Sequence, residues 1–414
     1  MIPLRQRTPD AARDTLAMVL AGGEGQRLYP LTRRRAKPAV RFGGDYRMID
    51  FTLSNCVNSG FRRLFLLTQF AASSLHRHIR QGWIPLLSDA VGEFVETVPA
   101  QRMAGDRWYA GTADAIYQNL FILQDERPPL VLVLSGDHAY KMDYRPMVAE
   151  HLAQDAVLTI ACLKLPRAEC SAFGVLQVDE QWRVTGFQEK PADPMPVPGD
   201  PESSLVSMGV YVWRTEELAR RVADDATRNS SHDFGKDIIP AMVADGATVL
   251  AYPFAEAPGG GKAYWRDIGT LDAYWQANMD LVNVVPELDL YDQNWPIYTA
   301  RAHYPPAKTV HGDLAAVTDS LMASGCIISG AHVHQSVLSP IVYVHRGADV
   351  SESILLDGVE IGRDARLRRA VVDEGVQIPD GFSVGYDRAE DEKRFLVTEG
   401  GVTIVPQGVI LTAG

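Results

Sequence analysis

The part of this sequence best equipped for chemistry is a glycine run set between an apolar segment and a cluster of cations. Leu16–Ala21 leads directly into Gly22, Gly23, Glu24, Gly25, Gln26 and Arg27, with Thr32, Lys37 and Pro38 following. Glycines at a strand-to-helix turn let backbone N–H groups approach a phosphate, and the cations beyond them neutralise its charge. The spacing is neither the dinucleotide G-x-G-x-x-G nor the Walker pattern, since no G-K-[ST] follows. Two carboxylates come next. Asp137 leaves the apolar run Leu130–Ser135 in Gly136-Asp137-His138, and Asp267 has the same local setting in Trp265-Arg266-Asp267-Ile268-Gly269-Thr270. An isolated Asp at a strand end usually caps the next helix. Two that converged on a phosphate would hold one Mg2+, which takes one or two carboxylates plus substrate phosphates. Convergence is not visible in sequence. A third group is Glu189-Lys190-Pro191; by itself such a pair reads as a solvated ion pair of little consequence. The histidines show no metal-ligand spacing, and no local motif suggests a Ser-His-Asp or Cys-His arrangement.

The elements that must position these groups alternate apolar strands with helical patterns over residues 15–250, the mark of a mostly parallel α/β sheet. The expected strands are Leu16–Ala21, Arg63–Thr68, Leu130–Ser135, Val157–Leu163, Val206–Trp213 and Thr248–Tyr252. Thr112 reads as the N-cap of a helix carrying Ile116, Leu120 and Leu123 on one stripe. Lys190–Pro201, with its prolines, reads as a surface loop, and Pro286–Pro306 as an extended connection. Beyond it, apolar residues recur every 17 positions in three columns: Ile327, Val344, Ile361, Ile378; Val333, Val350, Leu367, Val384; and Leu321, Leu338, Leu355, Val372. Gly330, Gly347, Asp364 and Gly381 keep the same step, at positions suited to positive φ. Three columns in register describe a parallel β-helix of about four triangular coils. The domains expected are therefore 1–285, a linker over 286–310, and 311–414.

The chain has 414 residues, 46% hydrophobic and 22% charged, which excludes whole-chain disorder and gives material for two domains. No apolar run reaches the roughly 20 residues a membrane helix needs, and the N-terminus lacks an apolar signal core, so a cytoplasmic protein with no membrane partner is expected. Cys56, Cys162, Cys170 and Cys326 form no C-x-x-C pair and read as buried free thiols. A net charge of −12 argues against nucleic-acid binding. Against that acidic background Arg27, Arg33, Arg34, Arg35, Lys37, Arg41 and Arg47 crowd into one segment. A solvated basic face is the bland reading; directly after a glycine loop, an anionic ligand explains the cluster better.

The combination G-G-x-G-x-R-L-x-P-L-T with Lys37-Pro38 resembles the signature of sugar-1-phosphate nucleotidylyltransferases. Arg35–Gly44, Arg47–Phe51, Leu53–Gly60, Trp108–Ala115, Gly136–Tyr144, His232–Pro240 and Tyr264–Leu271 narrow the resemblance to bacterial glucose-1-phosphate adenylyltransferases, over about residues 15 to 410. The resemblance implies an N-terminal Rossmann-like, mostly parallel sheet and a C-terminal left-handed parallel β-helix. It also implies transfer of an adenylyl group from ATP to glucose 1-phosphate with Mg2+, in a homotetramer governed by small anionic effectors. It places Arg27 and Lys37 on the triphosphate, Asp137 and Asp267 on the metal, and Gly22, Gly23 and Gly111 along the nucleotide. Tyr109, Gly174, Glu189, Lys190 and Ser207 fall around the sugar phosphate. Arg33, Arg34, Arg35, Arg41 and Arg47 outnumber what one triphosphate needs, and this surplus is expected to form an anion site for an effector. Two departures touch regulation. Arg34 stands where enteric members use a lysine for their activator, and Asp125 and Glu374 stand where they use arginines for AMP. The rival readings are a GDP-mannose or UDP-sugar enzyme and a catalytically silent regulatory subunit. An added acetyltransferase activity is disfavoured, because no catalytic histidine can be assigned on so few coils.

Overall fold

The computed structural model describes residues 11–101, 108–258, 261–312 and 315–412. Strands buried on both faces need apolar side chains on both, and read as unbroken apolar runs. Thr15–Ala21 (β1), Arg63–Thr68 (β2), Phe94–Pro99 (β3), Leu130–Ser135 (β4), Leu158–Pro166 (β5), Gly174–Val178 (β6), Val184–Glu189 (β7), Ser203–Arg214 (β8) and Val249–Pro253 (β9) form one nine-stranded sheet. Its order is β7-β6-β8-β4-β1-β2-β3, with β5 on β8 and β9 on β5. β1 lies parallel between β2 and β4, and β8 runs antiparallel to β4, β5 and β6. Alternate residues of the central strands enter two cores. Ala17, Val19, Leu132 and Leu134 fill one; Leu16, Met18, Val131 and Val133 fill the other. All six strands expected from apolar runs are present, and β3, β6 and β7 are additional. β3 lies at the sheet edge and buries only Val95 and Val98, so no apolar run marks it.

Helices Met48–Asn58 (α1), Thr112–Tyr117 (α2), Thr215–Ala226 (α3) and Leu271–Asp280 (α4) pack against this sheet or the β-helix. Thr112 is not an N-cap. It is the first helical residue, and its hydroxyl donates to Asp233 Oδ2 at 3.1 Å and accepts from Phe234 N at 3.0 Å. The stripe of Ile116 and Leu123 is buried, but it spans two short helices, because α2 stops at Tyr117 and the chain resumes helical form at Leu120–Glu126.

The C-terminal region is a parallel β-helix of the left-handed class, with three sheets of strands stacked coil upon coil, all parallel except Leu396–Val397, which pairs antiparallel with Thr403–Val405 at the edge of the third. Two of the sheets have five strands, so five coils form where four were expected. The column Val333, Val350, Leu367, Val384 is in register as read. The other two columns are off by one residue at their first member. Ile328, not Ile327, pairs with Val344, and Met322, not Leu321, pairs with Leu338. Each sheet contains one early step of 16 residues rather than 17, which moves the paired position one place along. Gly330, Gly347, Asp364 and Gly381 all take positive φ at one corner. Val337, Ile354, Val371 and Ile404 point out of the third sheet into the same cluster as Tyr274 and Trp275 of α4. Each such side chain contributes about 1.5–3 kcal/mol by leaving water, so the two domains are held by a genuine core.

The connection over residues 286–306 holds no strand or helix, yet it is fastened down. Trp295 is buried with its Nε1 donating to Asn55 Oδ1 at 2.9 Å, and Ser54 Oγ accepts from Tyr298 N at 2.8 Å. The four cysteines are buried and free. Among the described residues no helix is long and apolar enough to cross a membrane.

Candidate active site

β1 ends in the glycine loop. Gly25 turns the chain at φ +68, where a Cβ would stand 2.9 Å from Thr32 Cγ2, and Thr32 Oγ1 donates to Gly25 O at 2.9 Å. The turn therefore requires glycine, and Thr32 locks it. Gly22 lies beside Gln69 and Tyr109, while Gly23 faces open space. Lys37 opens a short helical turn and is buried, with its Nζ 2.5 Å from Asp137 Oδ2 and 3.7 Å from Asp267 Oδ1.

The two carboxylates converge through a small ribbon. Asp137 sits in the turn after β4, before the strand His138–Tyr140, which pairs antiparallel with Trp265–Asp267. Asp267 is thereby set opposite His138. Ligand atoms of Asp137, His138 and Asp267 lie within 4.8 Å of one another, with His138 Nε2 3.6 Å from Asp137 and 3.8 Å from Asp267. Burial alone would raise the Asp137 pKa; the Lys37 ammonium and His138 outweigh it and hold the carboxyl well below the usual range. Burial likewise pulls Lys37 down, and Asp137 and Asp267 more than reverse this, so the ammonium is kept charged.

Beside this group opens a cavity of about 200 Å³. Arg27, Gly174, Glu189, Lys190, Ser207 and Asp267, all expected from the sequence, line it together. Lys190 holds a left-handed φ of +49 at the end of β7, and its Nζ lies 2.9 Å from Glu189 Oε1. Thr112, His138, Tyr211, Asp233 and Trp265 line the cavity too and were not assigned. All but Tyr211 stand in the segments that narrow the resemblance, so the sequence holds a signal for them. Tyr109 is not among the lining residues: it packs against Gly22, on the side of the glycine loop, and Asn119 Nδ2 donates to its hydroxyl at 2.9 Å.

The sequence matches the nucleotidyl transferase family over residues 16–284 and the GlmU-like C-terminal hexapeptide family over residues 305–405. It is similar to "Glucose-1-phosphate adenylyltransferase 1" of Alkalilimnicola ehrlichii, 53% identical over 95% of this chain and 94% of the relative. A protein of Nitrosococcus oceani named "Glucose-1-phosphate adenylyltransferase" is 50% identical over 95% of this chain and 94% of its own. "Glucose-1-phosphate adenylyltransferase 2" of Vibrio cholerae is 47% identical over 95% and 98%. The chain belongs to the glucose-1-phosphate adenylyltransferase family. As a member of that family it is a nucleotidyltransferase with a divalent-metal chemistry, and the donor set fits such an ion: two carboxylates presenting hard oxygens to one point.

A second, larger cavity of about 880 Å³ lies between the sheet domain and the β-helix. Arg34, Arg35, Arg41 and Arg47 all line it, joined by Arg77 and Arg301, with Ser324, Glu374 and Gln407 on the β-helix side. Several of these cations are already engaged. Arg35 pairs with Asp373 at 2.8 Å and Glu374 at 3.3 Å, and Arg41 pairs with Asp357 at 2.5 Å. Burial, and then Arg41, lower the Arg47 pKa. Arg34 and Arg77 remain exposed. Arg33 is exposed and is not among the lining residues.

Proposed function

We propose that this protein joins ATP and α-glucose 1-phosphate to give ADP-glucose and diphosphate, and that it does so at the Lys37, Asp137 and Asp267 group. The observation that carries this is that a lysine and two carboxylates from three distant segments meet beside the Glu189–Lys190 cavity, which Asp267 itself lines. An oxygen of the sugar phosphate forms a bond to the α-phosphorus of ATP as the bond to the β-phosphoryl oxygen breaks, and diphosphate leaves with that electron pair. The attacking oxygen is already ionised, so no protein nucleophile or general base is needed. What the protein must supply is charge neutralisation and alignment of two polyanions.

Arg27 and Lys37 are assigned to the triphosphate and the departing diphosphate. Asp137 and Asp267 keep Lys37 charged and fixed in place, so its charge is available to offset that of a phosphate. Lys190 and Glu189 are assigned to the phosphate and hydroxyls of glucose 1-phosphate, with Gly174 and Ser207 beside them. Gly22, Gly23, Gly111 and Tyr109 are assigned to the nucleotide side. Asp137 and Asp267 would hold Mg2+, which when bound supplies Lewis-acid stabilisation of the phosphate oxygens and a template for alignment.

The arginine cavity is assigned to a small anionic effector. Its position at the junction lets an anion bridge Arg34 on one domain and the β-helix wall on the other. Glu374, already 3.3 Å from Arg35, disfavours the AMP inhibition known in enteric relatives, because a carboxylate repels phosphate. A homotetramer is the expected assembly, and Val284, Val285 and Tyr291, exposed beside the domain junction, offer apolar surface to it. The test of the reaction is a forward assay with ATP and glucose 1-phosphate beside a panel of other nucleotides and sugar phosphates. Preference for another pair overturns the substrate assignment. Light scattering reads the assembly.

A further inference from the structure

Three polar side chains given no role above stand behind the sugar cavity. Asp225, near the C-terminal end of α3, is buried, and its Oδ2 lies 2.7 Å from His232 Nδ1. Its Oδ1 accepts from Ser230 Oγ at 2.8 Å. A carboxylate can only accept, so Nδ1 of His232 carries the proton. Ser230 Oγ also lies 3.0 Å from that nitrogen and accepts from the His232 backbone N–H at 3.2 Å. This is not a nucleophilic triad. Serine and aspartate meet the same ring nitrogen, whereas activation of a serine uses one nitrogen for each partner.

The grouping holds a strained backbone in place. His232 has φ +54, a left-handed conformation that a non-glycine residue keeps only where its surroundings over-determine it. In that conformation its carbonyl accepts from Ala113 N at 2.8 Å, fastening the first turn of α2. The contact is so close that a Cβ on Gly111 would stand 2.2 Å from the carbonyl oxygen. The next residue, Asp233, accepts from Gly235 N at 2.9 Å, Lys236 N at 3.2 Å and Thr112 Oγ1 at 3.1 Å. Asp233 and Gly235 line the sugar cavity, and a Cβ on Gly235 would stand 2.6 Å from Glu189 Oε2. One peptide segment thus ties the Gly111–Thr112 strap to the wall that faces Glu189.

We propose that Asp225 and Ser230 act through His232 as a buckle, setting the separation between the Gly111 strap and the Asp233–Gly235 wall of the sugar-phosphate cavity. These are positioning residues; nothing reacts at the imidazole. The inference rests on the reaction assigned to this cavity.

Steady-state kinetics and thermal melts of wild type, His232→Ala, His232→Asn and His232→Gly test it. Misplacement of a substrate wall by a fraction of an ångström is expected to raise KM for glucose 1-phosphate about tenfold in His232→Ala, with a smaller fall in kcat. Asparagine tolerates the left-handed region and can donate an amide N–H to Asp225, so His232→Asn should return KM to within about threefold of wild type. Glycine takes the same backbone without strain but has no side chain to tether; His232→Gly should behave like the alanine variant, and serves if that variant does not fold. Wild-type KM in folded His232→Gly overturns the proposal, as does a His232→Asn variant no better than His232→Gly at equal melting temperature. A wild-type enzyme that forms no ADP-glucose overturns the reaction instead, and the two failures are read from different samples.

Discussion

Asp267 stands opposite His138 in the antiparallel ribbon of Trp265–Asp267 and His138–Tyr140, and that pairing delivers its carboxylate to the side of Asp137. Lys37 Nζ closes the group at 2.5 Å from Asp137 and 3.7 Å from Asp267. A divalent ion and the lysine thus answer to the same two carboxylates. Asp137→Asn should fold, since the position is partly solvated, but lose about 100-fold or more in turnover, exceeding losses at outer-shell metal partners. Turnover measured against metal concentration checks this; near-normal rates at limiting metal would remove Asp137 from the metal site.

Lys190 reports on the sugar phosphate. Its side chain is 57% exposed, so solvent screens part of the charge-assisted contact. The contact of about 1.5–3 kcal/mol typical for charged groups should shrink accordingly, and Lys190→Gln should raise KM for glucose 1-phosphate about tenfold. KM for ATP should change little. Equal rises in both would make Lys190 a general support of the site.

The effector arginines divide into two kinds. From sequence Arg34 and Arg41 look equivalent, but Arg41 is locked to Asp357 whereas Arg34 and Arg77 are open to solvent. Arg41→Ala leaves Asp357 without its partner and should cost about 3 kcal/mol, the low end for a broken buried pair, because Asp357 keeps some solvent. Arg34→Ala with Arg77→Ala should leave stability within about 0.5 kcal/mol and unactivated turnover intact, while blunting the response to sugar phosphates or pyruvate. A double variant that responds like the parent would reduce these cations to surface charge.

His151 makes the fold acid-sensitive. It is fully buried, its Nδ1 lies 2.8 Å from Thr159 Oγ1, and burial followed by Arg214 lowers its pKa to about 4. The folded state therefore prefers the neutral ring. Its stabilisation is present above the unfolded pKa near 6.5, and is lost as pH falls from there through 4. The loss is on the order of 3 kcal/mol, from about 1.4 kcal/mol per pKa unit. Thermal melts from pH 7 to 4 should fall less steeply for His151→Gln than for wild type. Parallel curves would assign the acid sensitivity elsewhere.

Much of this was legible beforehand, for reasons that differ by element. β1 and β4 are buried on both faces, so Leu16–Ala21 and Leu130–Ser135 announce themselves as apolar runs. The β-helix shows through its repeat, because each coil must put an apolar residue at the same inward place. What failed there was local: the shorter early coils shifted the column from Ile327 to Ile328, a change a fixed period cannot represent. β3 escaped because this edge strand buries only Val95 and Val98 and so carries no apolar run. At the site, Lys37 and Asp137 follow from local motifs, but their meeting with Asp267 depends on a three-residue ribbon with no periodic signature. Tyr109 was placed with the sugar by resemblance, whereas its ring packs on Gly22; which wall of a cleft a loop residue faces is decided by its neighbours, here Gln69 and Asn119.

The most direct measurement is ADP-glucose formation from ATP and glucose 1-phosphate with Mg2+, comparing wild type with Lys37→Ala, Asp137→Asn and Asp267→Asn under identical conditions. Wild type should form ADP-glucose and diphosphate in equal amounts, and each of the three folded variants should lose most turnover, because each removes one corner of a single charged group. Wild-type activity that survives in any two of the three would contradict the account.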